Sequence, residues 1–472
     1  MSNQAPLLSI EDQHFQVICA AAVEAMDRLH VPGVAIGIAY GDAEYTAGFG
    51  VTNIEHPLPV DAATLFQIGS TTKTVTATVA MRLVEQGRLD LDVPVRTYLP
   101  DLRLADEQVA ANVTLRHLFN HTGGWAGDYF DDMGHGDDAL AQIVTRLVAL
   151  PQLTPLGTVW SYNNAGFYLA GRVLEIIAGK PYETITRQLV LEPLGMDRSF
   201  FFPGDLMTYR FAVGHENSFQ AGEPPVSVAR PWPLARTAHP AGGISSTVRD
   251  QLRYARFHMG DGTAADGARL LTHESLAQMQ TPNVPAANGE FLGITWFIKD
   301  VDETRIVRHG GATHGQLSAF VMVPARRFAI TVLTNAERGD ELNKQIVRLA
   351  LHEFLGLDEQ DPVPLDVPAD QLTAYTGRYE SLGVIIDLSL RDGALVLQLT
   401  PKGGFPTKDS PAPPAPPPTR LALCGQDEVI ALDEPFKGTR GEFLRDPDRI
   451  ITWLRIGGRV NRRDTRPTGN KQ

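Results

Sequence analysis

A serine and a lysine three residues apart are the first candidates for chemistry in this chain. They lie in the segment Ser70-Thr71-Thr72-Lys73, where a predicted loop enters a predicted helix. Because residues i and i+3 share a helix face, the Lys73 ammonium can reach the Ser70 hydroxyl. A lysine whose pKa is lowered by burial and by nearby cations can take the serine proton and make the hydroxyl a nucleophile. The alternative is a helix-capping serine beside a solvated lysine.

A tyrosine and an asparagine further along the chain could complete such a site. The segment Tyr162-Asn163-Asn164 precedes a predicted helix over residues 166–178. The phenol could act as base or acid beside Lys73, and the Asn164 amide could hydrogen-bond a substrate carbonyl or hold the lysine. Read alone, the segment also fits an N-cap asparagine beside a packing tyrosine.

A histidine followed by two glycines ends a predicted strand. In His309-Gly310-Gly311-Ala312, the missing side chains let the backbone approach a ligand. The strand then offers a second amide for an oxyanion and an edge for an extended peptide. A glycine hairpin is the alternative interpretation.

An acidic segment could form part of a substrate-binding rim. Five aspartates and one histidine fall within residues 128–138, after Trp125. We consider an acidic lid that attracts an amine-bearing substrate, with Asp128, Asp131 and Asp132 supplying charge and with Trp125 and Tyr129 offering an aromatic face. The alternative is a solvated acidic loop. No metal site is predicted, because the segment lacks a recognisable ligand frame.

The elements that must position these residues follow from hydrophobic periodicity. Apolar spacing predicts a helix over residues 11–29, then a strand at 34–39 that turns into a second strand, and a helix from Gly69 to near Gly87. Strands at both ends of a long helical segment predict an α+β domain with one antiparallel sheet flanked by helices. Further helices are predicted at 140–150, 166–178, 248–258 and 342–355, and further strands at 304–308, 317–323 and 328–333.

The composition changes after residue 357. An acidic, proline-rich stretch at 358–368 predicts a linker between a domain over residues 1–357 and a second one over residues 369–472. The second is predicted to be a small all-β, barrel-like module. The proline run at 410–418 is expected to form an extended loop, with a ligand for a PxxP-binding domain as the alternative. Short β-like runs occur at 384–390, 394–399, 420–424, 429–432 and 450–456.

Charge and composition exclude several classes of function. The chain has 472 residues, 43% hydrophobic and 21% charged, with a net charge of −13. This acidic balance argues against nucleic-acid binding. No run approaches the roughly 20 apolar residues of a membrane span, and the N-terminus lacks the pattern of a secretory signal, so a cytoplasmic protein is predicted. The two cysteines, Cys19 and Cys424, are expected to be reduced.

Taken in order, the three segments resemble the active-site motifs of the serine β-lactamase and penicillin-binding-protein-like family. The resemblance covers about residues 12–356 and points to the class C branch with its D-aminopeptidase and esterase relatives. It implies an acyl-enzyme on Ser70, with no metal and no organic cofactor. The C-terminal stretches look like the β-barrel module that many such proteins carry. The matching motifs are SxxK (Ser70 to Lys73), YxN (Tyr162 to Asn164) and HxG (His309 to Gly311).

The resemblance also implies roles for individual residues. Lys73 and Tyr162 would move the proton of Ser70, and Asn164 would contact the substrate. The amides of Ser70 and Ala312 would form the oxyanion hole.

One departure bears on the substrate. Class C β-lactamases carry lysine where this chain has His309, which is mostly neutral at pH 7. We therefore expect weak or absent β-lactam hydrolysis. The predicted function is hydrolysis of an amide or ester in a small molecule or short peptide, of the peptidase or D-amino-acid amidase type. Alternatives are a carboxylesterase and a non-catalytic, peptide-binding relative.

Overall fold

The computed structural model describes residues 12–218 and 224–465. It contains a mixed α+β part followed by a closed barrel. The helices, numbered along the chain, are α1 (Gln13–Leu29), α2 (Thr72–Glu85), α3 (Glu107–Asn112), α4 (Leu115–Phe119), α5 (Ala139–Arg146), α6 (Ala165–Ala178), α7 (Tyr182–Thr186), α8 (Pro203–Leu206), α9 (His239–Gly242), α10 (Val248–Met259), α11 (His273–Met279), α12 (Gly339–Leu355) and α13 (Ala369–Leu372).

An eight-stranded antiparallel sheet organises the first part. Its order is β2-β1-β12-β11-β10-β9-β8-β7, so the N-terminal hairpin pairs with strands that come almost 300 residues later. The prediction that N- and C-terminal strands close one sheet is confirmed. The strands of the α+β part, of which eight form this sheet, are β1 (Gly33–Tyr40), β2 (Ala43–Gly50), β3 (Phe66–Gln67), β4 (His215–Asn217), β5 (Val226–Val228), β6 (Ser245–Ser246), β7 (Val284–Pro285), β8 (Phe291–Leu292), β9 (Phe297–Val301), β10 (Thr304–Ala312), β11 (Leu317–Val323) and β12 (Phe328–Thr334).

Apolar side chains fill both faces of this sheet. On one face, α1 and α12 pack against β1 and β12, with Ile18 and Ile346 fully buried. Asp12 starts α1 by accepting a hydrogen bond from the Phe15 amide. The opposite face is covered by α10, and α2 and α6 contribute side chains to the same buried cluster. Burial on both faces explains why every residue of β12 is buried and why its sequence shows no regular apolar–polar alternation.

The second part of the chain closes into an eight-stranded antiparallel barrel, which confirms the predicted all-β module. Each strand of the barrel pairs with the next strand along the chain. The last strand, β20, pairs with the first, β13, through Tyr379 and Arg463, and this pairing closes the barrel. Three of its strands, β13, β18 and β20, were not predicted, because charged residues on their outer face interrupt the apolar pattern. The strands are β13 (Gly377–Glu380), β14 (Val384–Arg391), β15 (Ala394–Pro401), β16 (Thr419–Leu423), β17 (Glu428–Ala431), β18 (Arg440–Arg445), β19 (Ile451–Ile456) and β20 (Arg459–Arg463).

The two parts are joined by a segment without helix or strand over residues 356–368. The proline run at 411–418 is also free of regular structure. Within the described residues, no helix has both the length and the apolar character needed to cross a membrane. Cys19 and Cys424 are both free thiols, and burial raises the pKa of Cys19 to about 11.

Candidate active site

Ser70 lies on a tight turn at the start of α2. Residues Gly69–Thr71 form a single 3₁₀ turn, and the α-helix begins at Thr72, later than the sequence predicts. The turn is attached to the central sheet through Ser318 of β11, whose hydroxyl donates to the Ile68 carbonyl at 2.8 Å and lies 3.0 Å from the Thr71 hydroxyl. These contacts hold the Ser70 hydroxyl at the floor of a cleft.

Lys73 is completely buried and contacts the candidate nucleophile. Its Nζ lies 3.0 Å from Ser70 Oγ, 2.7 Å from Asn164 Oδ1 and 2.7 Å from the Ala241 carbonyl oxygen. Burial lowers the pKa of Lys73 well below its ordinary value, and the positive charge of Arg459 lowers it further. A neutral amine fits this geometry. It donates its two protons to Asn164 and Ala241 and can accept the Ser70 proton with its lone pair.

Tyr162 lies on the other side of the nucleophile. Burial raises the pKa of its phenol, while an interaction with the Ser70 side chain opposes that rise. The phenol is therefore protonated at neutral pH. Its ring stacks on His121 at 4.4 Å between centroids, and Lys73 Nζ lies 4.8 Å from its centroid. A protonated phenol and the Lys73 amine thus lie close together beside Ser70.

Two glycines allow β10 to approach the Ser70 turn. Gly69 has φ +50°, and a Cβ there would lie 2.6 Å from the Ala312 nitrogen. A Cβ on Gly311 would lie 1.9 Å from the Ile68 oxygen and 2.8 Å from the Ser70 nitrogen. The two amides expected to bind an oxyanion therefore lie on either side of this close contact, and both residues line the cleft. Strand β10 includes all four residues of the motif, and the turn follows them, so the hairpin alternative does not describe this segment.

His309 faces the cleft as a neutral acceptor. Its Nδ1 lies 2.6 Å from the Gly310 carbonyl oxygen, which requires a proton on Nδ1. Burial lowers the pKa of His309 to about 3. Its buried Nε2 has no hydrogen-bond partner among the residues that the structure describes. The imidazole at this position is therefore neutral and holds an unpaired acceptor at Nε2.

Asn163 and Asn164 divide two tasks at the start of α6. Asn163 Oδ1 accepts from the Gly166 amide at 2.8 Å, and its Nδ2 donates to the Trp125 carbonyl. The Asn164 side chain makes no capping bond. The capping role considered for this segment thus belongs to Asn163, which leaves Asn164 to hold Lys73.

A series of hydrogen bonds connects Lys73 to the barrel through Asn164 and Asp128. Asn164 Nδ2 donates to Asp128 Oδ1 at 2.8 Å, and Arg459 Nε donates to Asp128 Oδ2 at 3.0 Å. The Arg459 guanidinium carbon also lies 4.7 Å from the centroid of the Tyr162 ring. No local pattern in the sequence points to Arg459, because the residue lies 331 positions from Asp128 and only the folded chain brings them together.

The cleft is formed by both parts of the molecule and has a volume of about 720 Å³. The Tyr162 amide donates to the Gly458 carbonyl at 2.9 Å, and Arg455 Nη1 donates to the Trp160 carbonyl at 2.7 Å. Phe405, from the long loop of the barrel, packs edge-to-face on Phe130 at 5.0 Å. The barrel residues that line the cleft are Phe405, Pro406, Gly457, Gly458 and Arg459.

The acidic segment is not arranged as an open acidic lid. Among the predicted rim residues, Asp128 lines the cleft, but its charge is paired with Arg459. Asp131 is buried and forms an ion pair with Lys408 of the barrel loop. Asp132 is exposed outside the cleft, where it accepts from the Gly134 amide, and the Trp125 side chain is buried in the core. Asp128 and Asp131 therefore connect this segment to the barrel, and Asp128 alone of the four predicted rim residues lines the cleft.

No group of histidine, cysteine or acidic side chains that could hold a metal ion occurs within residues 12–218 and 224–465. The Ser70 hydroxyl, the Lys73 amine and the Tyr162 phenol lie together at the cleft. These groups suit acyl transfer through a serine nucleophile.

Comparison with known proteins identifies the family. The family model described as Beta-lactamase matches residues 20–353, which include all three motifs. The chain belongs to the Beta-lactamase family. Penicillin-binding protein 4 from Amycolatopsis lactamdurans is 32% identical over 367 residues, covering 75% of this chain and 94% of that protein. Esterase EstB from Burkholderia gladioli is 34% identical over 206 residues, covering 40% of this chain and 52% of that protein. Members of these groups are serine hydrolases.

A solved structure matches the whole architecture, including the barrel. The crystal structure of SurE with D-Leu superposes with a TM-score of 0.74 at 24% identity, covering 96% of this chain and 100% of that chain. At this identity the match shows the fold.

Proposed function

We propose that this protein is a serine peptidase or amidase that cleaves an amide of a short peptide through an acyl-enzyme on Ser70. The observation that carries the proposal is the contact of buried Lys73 Nζ with Ser70 Oγ at 3.0 Å, with the other two neighbours of the amine being acceptors. Such an arrangement favours an unprotonated lysine that faces the nucleophile.

The reaction follows from the placement of these groups. Lys73 takes the Ser70 proton while Oγ bonds to the substrate carbonyl carbon, and the amides of Ser70 and Ala312 bind the oxyanion. The carbon–nitrogen bond then breaks, and the departing amine receives the proton through Tyr162. Water attacks the ester and passes one proton to the same groups, which releases a carboxylic acid and restores Ser70.

The chirality of the acyl residue is the finer part of the proposal. We infer a preference for a D-residue at the carbonyl that acylates Ser70. Two similarities support it: a relative is a penicillin-binding protein, and the fold matches that of SurE, whose structure holds D-Leu. The neutral His309 supports poor β-lactam turnover, because it supplies no cation for the antibiotic carboxylate.

An esterase is the second candidate, and a specific similarity favours it. EstB matches 40% of the chain at 34% identity. The same catalytic groups would cleave an ester faster than an amide, because an alcohol leaves without needing full protonation. The two functions therefore differ in whether Tyr162 is essential.

The test is a matched set of four substrates with D- or L-leucine as the acyl residue, each as an amide and as an ester. The peptidase proposal predicts amide cleavage for the D-series, with at least a tenfold preference in kcat/KM over the L-series. Ester cleavage alone would favour the esterase. No turnover above that of Ser70→Ala with any of the four would favour a peptide-binding relative.

A further inference from the structure

The barrel contains an apolar cavity that its own core does not fill. Inward-pointing residues alternate along its strands, and many of them, such as Leu388, Leu395 and Phe443, form a packed cluster. At the end nearest the cleft, a cavity of about 340 Å³ remains. Its apolar lining includes Val384, Leu397, Leu399, Leu421, Phe436 and Ile456. An eight-stranded barrel has an interior wide enough to hold one small ligand.

Two buried polar atoms in the cavity wall have no partner among the described residues. They are Thr419 Oγ1 and Asn461 Oδ1, and each side chain is only 1% exposed. The side-chain nitrogen Nδ2 of Asn461 has partners, since it donates to the Leu454 and Arg459 carbonyls. This fixes Oδ1 as an acceptor. A buried acceptor without a donor is costly, so the cavity suits a ligand that combines an apolar body with an N–H group.

The cavity borders the catalytic cleft. Asp128, Gly457 and Arg459 line both spaces. Arg459 lies over the Tyr162 ring, so the cavity lies on the side of the site where the phenol can protonate a departing amine. The Ala312 amide proposed to bind the oxyanion belongs to β10, in the α+β part of the chain. A substrate that extends past Tyr162 therefore reaches the barrel with its leaving-group portion.

We propose that the barrel cavity is a binding subsite for an apolar side chain in the leaving-group portion of a peptide substrate, with a backbone N–H of that portion donating to Asn461 Oδ1. This inference rests on the proposed acyl-enzyme function and adds a substrate class to it. The barrel then selects the amine that departs when the Ser70 ester forms.

The proposal separates two steps of the reaction. During acylation, the Ser70 Oγ–carbon bond forms, the carbon–nitrogen bond breaks, and the amine leaves with a proton. The cavity contacts only this amine, so it affects the acylation rate. Hydrolysis of the ester takes place after the amine has left, so the deacylation rate is independent of the cavity.

The experiment compares two peptide amides with the same acyl group, one releasing glycinamide and the other leucinamide. Burial of the leucine side chain is expected to give the wild type about a tenfold or larger preference in acylation rate for the leucinamide substrate. Val384→Trp fills the cavity from its half-exposed rim and should reduce the preference to less than about threefold. Ile385→Trp is the matched control, because its side chain points to the outer face of the same strand, and it should keep the wild-type preference.

The readouts keep this inference apart from the underlying function. Labelling of Ser70 by a small fluorophosphonate needs no leaving group of peptide size and should be equal in both variants, which also shows that they are folded. Equal preference in wild type and Val384→Trp, with labelling intact, would overturn the subsite and leave the acyl-enzyme standing. A change in deacylation in Val384→Trp without a change in acylation would also contradict it. Loss of labelling in the wild type would instead overturn the proposed function.

Discussion

At the scale of single residues, the central feature is a lysine that is buried without a carboxylate partner in direct contact. Lys73 is surrounded by a hydroxyl, an amide oxygen and a backbone carbonyl. A buried ammonium would be stabilised by an adjacent carboxylate, whereas Asp128 lies one residue further away, beyond Asn164. The surroundings of Lys73 thus favour the neutral base over the cation.

Removal of either proton-transfer group should abolish most of the activity while the fold remains. We expect Lys73→Met and Tyr162→Phe each to lower kcat/KM for an amide by about 10²- to 10⁴-fold. Tyr162→Phe keeps the ring that stacks on His121, so its melting temperature should stay close to that of the wild type. Activity is measured by release of the amine, and folding by circular dichroism. Near-wild-type turnover in both variants would show that the proton follows another path.

At the scale of elements, the sequence predicts most of what carries the site. The helical spacing around Ser70 and Lys73 and the apolar runs of β1, β11 and β12 are strong local signals, and the structure places the three motifs around one cleft. The hydrogen bonds of the Ser70 turn to Ser318 and the division of tasks between the two asparagines depend on contacts between distant segments. No local pattern encodes such contacts, so these details could not be predicted.

The close approach of β10 to the Ser70 turn gives an element-scale prediction. Gly311→Ala places a methyl group 1.9 Å from the Ile68 oxygen, so the strand must move away from the turn. We expect activity to fall by about 10²- to 10³-fold, as for the loss of an oxyanion-hole donor.

The neighbouring glycine is a matched control for this change. A Cβ on Gly310 meets only the Ser318 carbonyl, at 3.2 Å, so Gly310→Ala should keep at least a third of the wild-type kcat/KM. Both variants are compared by steady-state kinetics and thermal unfolding. If both alanines lowered activity equally, the backbone contact at Gly311 would have no special role.

At the scale of the whole molecule, the barrel forms part of the wall of the candidate site. It supplies Arg459 to Asp128 and the Gly458 carbonyl to the Tyr162 amide, and its loop residue Lys408 pairs with Asp131. The sequence predicts a separate β-module, but periodicity within that module carries no information about where it docks. The acidic segment resembles a substrate lid in the sequence for the same reason, since the barrel partners of Asp128 and Asp131 lie more than 270 residues away.

Arg459 should control the pH at which the enzyme becomes active. The base works in its neutral form, so activity falls when pH drops below the lowered pKa of Lys73. The positive charge of Arg459 lowers this pKa and the negative charge of Asp128 raises it. Arg459→Gln is therefore expected to move the acidic limb of the kcat/KM profile to higher pH, and Asp128→Asn to lower pH. Shifts in the same direction, or none in either variant, would contradict this electrostatic coupling.

Locating the site of covalent labelling tests most directly whether Ser70 is the nucleophile. The protein is incubated with a fluorophosphonate probe and, separately, with a labelled penicillin, and the modified residue is located by peptide mass mapping. We expect a fluorophosphonate adduct on Ser70, slower labelling in Lys73→Met and no adduct in Ser70→Ala. An unlabelled wild-type protein, or an adduct that persists in Ser70→Ala, would contradict the assignment of Ser70 as the nucleophile.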